Sequence, residues 1–522
     1  MFTNDLNYNL ISRTAVGDTI RRVSKRFPDK VALVDGERRV TFKELNKNAN
    51  RFTNFLLKTG LKKGDRVAVL GLNSIDFVTA YYGIFKAGLI WLPINVGLTF
   101  DDINYILEDS EAKLLFVDEI LFPKIAPLVN EPKWQNRIFI LEGKKEGLRS
   151  FADCLGENDH EPEVFIEDRD PAFIMYTSGT TGRPKGVMQS HLSIFITILS
   201  NALEISATSK DVAAAVLPMF HVAQFSLTST FLNLGATVVV FKKFDPVEFA
   251  STIEKEKVTW IFLLPMMYRA ILGTPQIEKE KFATVRYCLY AMAPMDESTL
   301  KAAVEYFKAD FALATGQTEM FPATMIFKPE YQLTKIGPYW GTSAVILETE
   351  IMDEEGNILG KNEVGEIVHR GPSVMNGYWN NPEETERARK YGWHHTGDLG
   401  KFDDDGLLIF VDRKKDLIKT GGENVPSILV ESVILSHPKV ANAVVVGLPH
   451  PYWGEAVTAF VIEKPGTGLK KEEIIEHCKQ NLAGFQVPKE VLIVDNVPTN
   501  ATGKIQKFML RNMYKDYFLK NN

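Results

Sequence analysis

The densest chemistry in this sequence lies in YTSGTTGRPKG, Tyr176 to Gly186. A glycine such as Gly179 lets the backbone approach an anion closely. Thr177, Ser178, Thr180 and Thr181 add neutral hydroxyl donors and Lys185 adds positive charge, a set suited to a polyphosphate. It is not a P-loop, because Lys185 is followed by glycine rather than Ser or Thr and the G-x-x-x-x-G-K spacing is absent. An ordinary Ser/Thr/Gly turn is the plain alternative. The apolar PAFIM just ahead makes a strand the expected lead-in.

Other stretches carry single groups of interest. TGQTE, Thr315 to Glu319, sets Gly316, Gln317 and Thr318 before a carboxylate that could help hold a hard divalent cation. HTGD ends on Asp398, a carboxylate acceptor, and Arg413 follows in DRKKD. ATGKI presents Lys504 in a segment flanked by Pro498 and Gly503, which reads as a tight exposed loop. LPMFHVAQF places His221 in apolar surroundings. Each has a bland reading: a solvated Glu or Lys, a turn Asp, a core His bonded to a carbonyl. No G-x-S-x-G elbow occurs, so a serine hydrolase of that type is excluded.

Taken together the motifs resemble the adenylate-forming superfamily of acyl-CoA synthetases, nonribosomal-peptide adenylation domains and firefly luciferase. YTSGTTGRPKG is followed in family order by PMFH (218 to 221), TGQTE (315 to 319), HTGD (395 to 398), DRKKD (412 to 416), GGEN (421 to 424) and PTNATGKI (498 to 505). The resemblance implies that Thr318 contacts the α-phosphate of ATP, Glu319 helps hold Mg²⁺, Asp398 accepts the ribose hydroxyls with Arg413 beside it, and Lys504 is the catalytic lysine. A cation delivered to the α-phosphate stabilises charge that grows in the transition state. The family usually stacks an aromatic residue on adenine just before the glycine of TGQTE. Here that position is Thr315, so the stacking face is weaker or another residue supplies it.

By the same resemblance His221, Val222, Ala291, Ala314, Met320 and Phe321 form the wall of the acid pocket. His221 is placed as a pocket or gate residue and not a general base, since a carboxylic acid is already ionised near neutral pH. Amino-acid-activating relatives generally put an aspartate near this segment, whereas FHVAQFSL contains none. An unpaired buried ammonium would be costly, so the expected substrate is a fatty acid, with an aryl acid second. The implied activity is an ATP- and Mg²⁺-dependent acid:coenzyme A ligase; a free-standing enzyme loading a carrier protein is the alternative. Lys415 is implied as a hinge, and Gly421, Gly422 and Glu423 as the loop that serves CoA.

These residues need a scaffold, and the sequence outlines one. VALVD (31 to 35), RVAVLG (66 to 71) and LIWLPIN (89 to 95) read as strands between helical stretches, an α/β rhythm. Thr41 followed by Glu44 reads as a capping box, with Leu45, Ala49, Phe52 and Leu56 as one buried face of the helix it opens. After about residue 410 the texture changes to VANAVVVG, AVTAFVIE and EVLIVD around one charged helix, a compact α+β unit. The expectation is a multi-layered N-terminal α/β domain over 1–412, a hinge at 413–415 and a mobile α+β domain over 416–522, with the site in the cleft between them.

At 522 residues the chain exceeds what one core usually serves. Its formal charge of −6 offers no basic field for nucleic acid. Cys154, Cys288 and Cys478 lie too far apart for a zinc motif, and a reducing cytoplasm suits them. No transmembrane stretch is found, while a peripheral membrane contact and a homodimer stay open.

Overall fold

A computed structural model describes residues 5–177, 183–291, 295–499 and 505–520. Packing divides the chain into two compact units, one of Met1–Thr349 with His369–His394 and one of Glu350–Val368 with His395–Asn522. The smaller unit thus starts well ahead of the expected boundary at 412. Its early segments hydrogen-bond to one another, as in Asn362 N to the Phe402 carbonyl at 2.7 Å and Gly397 N to Glu366 Oε1 at 3.0 Å.

The larger unit contains two sheets. One runs Tyr339–Ser343, Met325–Phe327, Asp310–Thr315, Tyr287–Ala291, Trp260–Leu263, Val212–Ala215, Thr237–Val240, Val31–Asp35 and Arg38–Thr41. Its middle strands are parallel, with Ala291 opposite Ala314 in the ladder. The other sheet runs Gly377–Tyr378, Lys185–Ser190, Pro171–Thr177, Ile90–Pro93, Arg66–Leu70, Leu114–Val117, Ile138–Ile140 and Arg149–Ser150. Helices fill the space between the sheets. Phe225, on helix Val222–Leu234, packs 4.9 Å from Trp91 and 5.9 Å from Phe173 on the second sheet, and its own helix leans on the strand Val212–Ala215 of the first.

Local chemistry builds these elements. Thr41 and Glu44 close a reciprocal cap on helix Phe42–Lys58, and Leu45, Ala49, Phe52 and Leu56 are its fully buried face. Ser74 caps Ile75–Lys86 by accepting from Phe77 N at 3.0 Å. Parallel strands joined by such helices gather their carboxyl ends on one side, where ligands of open α/β sheets bind.

In the smaller unit the hairpin Val440–His450 and Gly454–Glu463 pairs with Ile418–Thr420 and, in parallel, with Glu490–Ile493. Alternation sorts its two faces. Val445, Val457 and Ala459 pack under helices Ser427–Leu435 and Lys471–Asn481, while Val444, Val446 and Phe460 meet Leu510 of helix Lys507–Met513. Among the described residues no helix is long and apolar enough to cross a membrane.

Candidate active site

Thr177 and Lys185 face each other across the antiparallel pair Pro171–Thr177 and Lys185–Ser190, at the base of the hydroxyl-rich loop. Ser178, Gly179, Thr180 and Thr181 lie outside the described residues. Lys185 Nζ pairs with Glu384 Oε2 at 3.0 Å and lies 4.4 Å from the centroid of the Tyr378 ring. The hydrogen bond from Lys185 is the main cause that holds the Glu384 carboxyl below its usual range.

The Tyr378 hydroxyl donates to Glu319 Oε1 at 2.9 Å. Burial first, and then the Glu319 carboxylate, raise the Tyr378 phenol, so it stays a donor. Glu319 sits in a single 3-10 turn, Thr318–Met320, beyond the strand Asp310–Thr315. Gly316 allows that turn: a Cβ there would lie 2.4 Å from Pro322 Cβ. The turn is clamped from behind. Gln189 Nε2 donates to the Thr318 carbonyl at 3.0 Å, Met375 N to the Glu319 carbonyl at 2.8 Å, and Asn201 Oδ1 accepts from Ala323 N at 3.1 Å. Thr318, Glu319 and Gln317 are half-buried. Thr315 Oγ1 is buried and has no hydrogen-bond partner among the described residues.

The expected acid wall divides. Ala291 and Ala314 are side by side at the carboxyl ends of parallel strands, 7% and 8% exposed. His221 precedes helix Val222–Leu234 with its ring 4.7 Å from that of Phe220, and Val222 opens the helix. The PMFH turn is fastened by Asn73, whose Oδ1 accepts from Met219 N at 2.7 Å and whose Nδ2 donates to the Leu217 carbonyl at 2.8 Å. Met320 and Phe321 are fully enclosed, Met320 against Ala344 and Leu347, Phe321 against Phe173 and Phe225.

In the smaller unit Asp398 and Arg413 are ladder partners, with Arg413 Nε 3.5 Å from Asp398 Oδ1. Asp398 is nearly buried and Arg413 half-buried. Lys415 is exposed between two tethered aspartates: Asp412 accepts from Ser427 Oγ at 2.7 Å, and Asp416 from Arg511 at 2.7 Å. Gly421 and Gly422, at φ +59° and +87°, form the two-residue turn between Ile418–Thr420 and Glu423–Val425. A Cβ on Gly421 would sit 3.0 Å from the Trp453 ring. Glu423 is exposed. Lys504 lies outside the described residues, but Thr499 pairs with Ile505 across the base of its loop.

Tyr378, Gln189, Asn201 and Asn73 are absent from the sequence reading. Their contacts join positions far apart in the chain, and only the polar Gln189 inside GVMQS hints at an inward task.

Two family profiles match this chain: that of the AMP-binding enzymes over residues 20–379, and that of the AMP-binding enzyme C-terminal domain over 429–504. An oxalate–CoA ligase of Arabidopsis thaliana is 34% identical over 94% of this chain and 96% of its own. The long-chain-fatty-acid–CoA ligase FadD13 of Mycobacterium tuberculosis is also 34% identical, over 91% of this chain and 93% of its own. Among solved structures, ATP-bound MatB from Rhodopseudomonas palustris superposes with a TM-score of 0.88 at 29% identity, covering 96% of this chain and 99% of that one. The chain belongs to the AMP-binding enzyme family, and within it is an acid–thiol ligase.

Proposed function

We propose that this enzyme converts a fatty acid first to its acyl-adenylate, releasing pyrophosphate, and then to its CoA thioester, releasing AMP. The observation that supports it best is the clamped acidic turn: Glu319, oriented by Tyr378, four residues after Thr315, whose buried hydroxyl has no hydrogen-bond partner among the described residues. A buried hydroxyl left unpaired costs about 1–3 kcal/mol, which a bound polar ligand can recover. ATP, which is rich in acceptors, fits that vacancy at the carboxyl end of a parallel strand.

The residues then divide the work. Thr177, Ser178, Gly179, Thr180, Thr181 and Lys185 cradle the phosphates, with Glu384 as the partner Lys185 holds at rest. Gly316 and Gln317 border the nucleotide, and Thr318 donates toward the α-phosphate. Glu319 supplies one carboxylate to Mg²⁺, which, when bound, neutralises phosphate charge. Among the described residues no cluster of three or more potential metal ligands occurs, so most remaining ligands would be phosphate oxygens and water. Asp398 accepts from the ribose hydroxyls, and Arg413 beside it holds its carboxylate in orientation. Lys504 stabilises charge on the α-phosphate as the carboxylate attacks.

His221, Val222, Ala291 and Ala314 face the acid, with Met320 and Phe321 backing that wall from inside the packing. Helix Val222–Leu234 carries no carboxylate that could pair an amino acid's ammonium. After the first half-reaction, residues 416–522 turn about 413–415, so that Gly421, Gly422 and Glu423 replace Lys504 and admit the CoA thiol. A CoA-dependent AMP-release screen over fatty acids of graded length, aryl acids and amino acids tests the substrate. Turnover of amino acids alone would overturn it, and transfer to a holo-carrier protein but not to CoA would overturn the acceptor.

A further inference from the structure

Helix His191–Glu204 turns a mixed face inward, with Ser193, Thr197, Ser200 and Asn201 buried beside the core residues Ile194 and Ile198. Three of these polar groups find partners: Ser193 Oγ donates to Gln189 Oε1 at 2.8 Å, Thr197 Oγ1 to the Ser193 carbonyl at 2.8 Å, and Asn201 Nδ2 to Ser226 Oγ at 2.7 Å. Its outward side holds Leu192, Phe195, Ile196, Leu199 and Leu203, spaced at three, one, three and four residues as a single helical stripe. Leu199 is 42% and Leu203 73% exposed. Leu192, Phe195 and Ile196 are half-buried, so the exposed apolar surface is centred on Leu199 and Leu203, neighbours on one helix face that make a docking feature with the half-buried residues behind them.

Beside it lies helix Gly17–Arg26, TIRRVSKR at its centre and end, with Arg22, Lys25 and Arg26 exposed. The two helices meet where the Arg22 guanidinium lies 5.2 Å from the centroid of Phe195. Each helix has one carboxylate, and both are engaged: Asp18 by Arg13 at 2.9 Å, and Glu204 by Lys328 at 3.7 Å and Val345 N at 2.9 Å. The patch is therefore apolar and locally basic on a chain whose net charge is −6.

We propose that this face seats the enzyme on an anionic phospholipid surface, with Leu199 and Leu203 in the interfacial layer and Arg22, Lys25 and Arg26 on the lipid phosphates. Apolar residues flanked by Lys and Arg are the pattern that binds a membrane interface. A second copy of the chain fits less well. The facing copy would offer Arg22, Lys25 and Arg26 no free carboxylate from either helix, whereas lipid phosphates supply anions. The inference does not depend on which acid the enzyme activates.

The test is sedimentation of the full chain with vesicles of phosphatidylcholine, with and without phosphatidylglycerol, at low and high salt. Binding should require phosphatidylglycerol and weaken with salt. Lys25→Glu with Arg26→Glu should lower the partition coefficient at least about 20-fold, and Leu199→Gln with Leu203→Gln at least about tenfold. Both variants should keep wild-type ATP–pyrophosphate exchange with a soluble acid, which separates membrane binding from catalysis and reports folding. No binding to anionic vesicles, or equal binding by wild type and both variants, overturns the proposal. So does a lipid-free dimer, seen by analytical ultracentrifugation, that Leu199→Gln with Leu203→Gln converts to monomer.

Discussion

Lys185 and Glu319 are coupled through one side chain, because the ring that lies under the Lys185 ammonium belongs to the tyrosine whose hydroxyl bonds the Glu319 carboxylate. Tyr378→Phe separates the two contacts, keeping the ring and deleting the donor. Losing a hydrogen bond to a charged group predicts about a tenfold loss in kcat/KM for MgATP, with little change in thermal midpoint. An unchanged kcat/KM across a Mg²⁺ titration would show that Tyr378 does not orient Glu319.

Gly316→Ala places a methyl 2.4 Å from a proline carbon that cannot rotate away. The turn carrying Thr318 and Glu319 must shift, so acid-dependent ATP–pyrophosphate exchange should fall by about 100-fold or more, as misplacement of catalytic groups does. The far-ultraviolet circular dichroism should stay native. Normal exchange would mean that the turn tolerates displacement.

Lys504→Ala removes the proposed transition-state cation, and adenylation should drop about 100-fold or more. Thioester formation from pre-made acyl-adenylate should continue near the wild-type rate. A parallel fall in both half-reactions would reassign the lysine.

Lys415→Pro fixes φ near −65° between the tethered residues Asp412 and Asp416 and restricts the preceding Lys414. Exchange should persist while acyl-CoA formation collapses. Acyl-CoA made at the wild-type rate would remove Lys415 from the hinge.

Asp118 gives a pH prediction. It is 2% exposed, and among the described residues its Oδ1 has no partner and only Leu72 N donates to it, at 2.7 Å. Burial is the main cause that lifts it from 3.8 to about 7; Glu142 and Asp76 also raise it, and Lys242 opposes them. A raised folded-state value stabilises the fold fully below the unfolded value of 3.8, and that contribution is lost as pH rises through about 7. Asp118→Asn should therefore raise the thermal midpoint more at pH well above 7 than well below it. Equal shifts at both would place the titration elsewhere.

Much of the scaffold was legible because its signals are local. The Thr41–Glu44 box and the Leu45, Ala49, Phe52, Leu56 face need only neighbours within one helix, and VALVD is a strand over the residues expected. The motif residues were legible as types in order, yet their partners were not. Nothing near Tyr378 announces that its hydroxyl faces Glu319, 59 positions away, or that Gln189 reaches Thr318, 129 positions away. The mixed inward face of helix His191–Glu204 also escaped, since an apolar periodicity reports a stripe but not which of its residues point in. The division of the chain differed from the boundary read at 412, because Glu350–Val368 joins the smaller unit through contacts distant in sequence.

One continuous run of chain, the strand Lys185–Ser190 and the helix that follows it, bears Lys185, Gln189 and Asn201. Two of the clamps behind the acidic turn, Gln189 and Asn201, thus share a single strut with Lys185, whereas Ala291 and Ala314 end two strands of the other sheet and His221 heads a separate helix. On the proposed assignment, substitutions at Val222 and Ala291 would retune which acid is activated while this strut keeps its register, whereas Ala314 shares the strand Asp310–Thr315 with the run into the acidic turn, so a change there would touch both tasks.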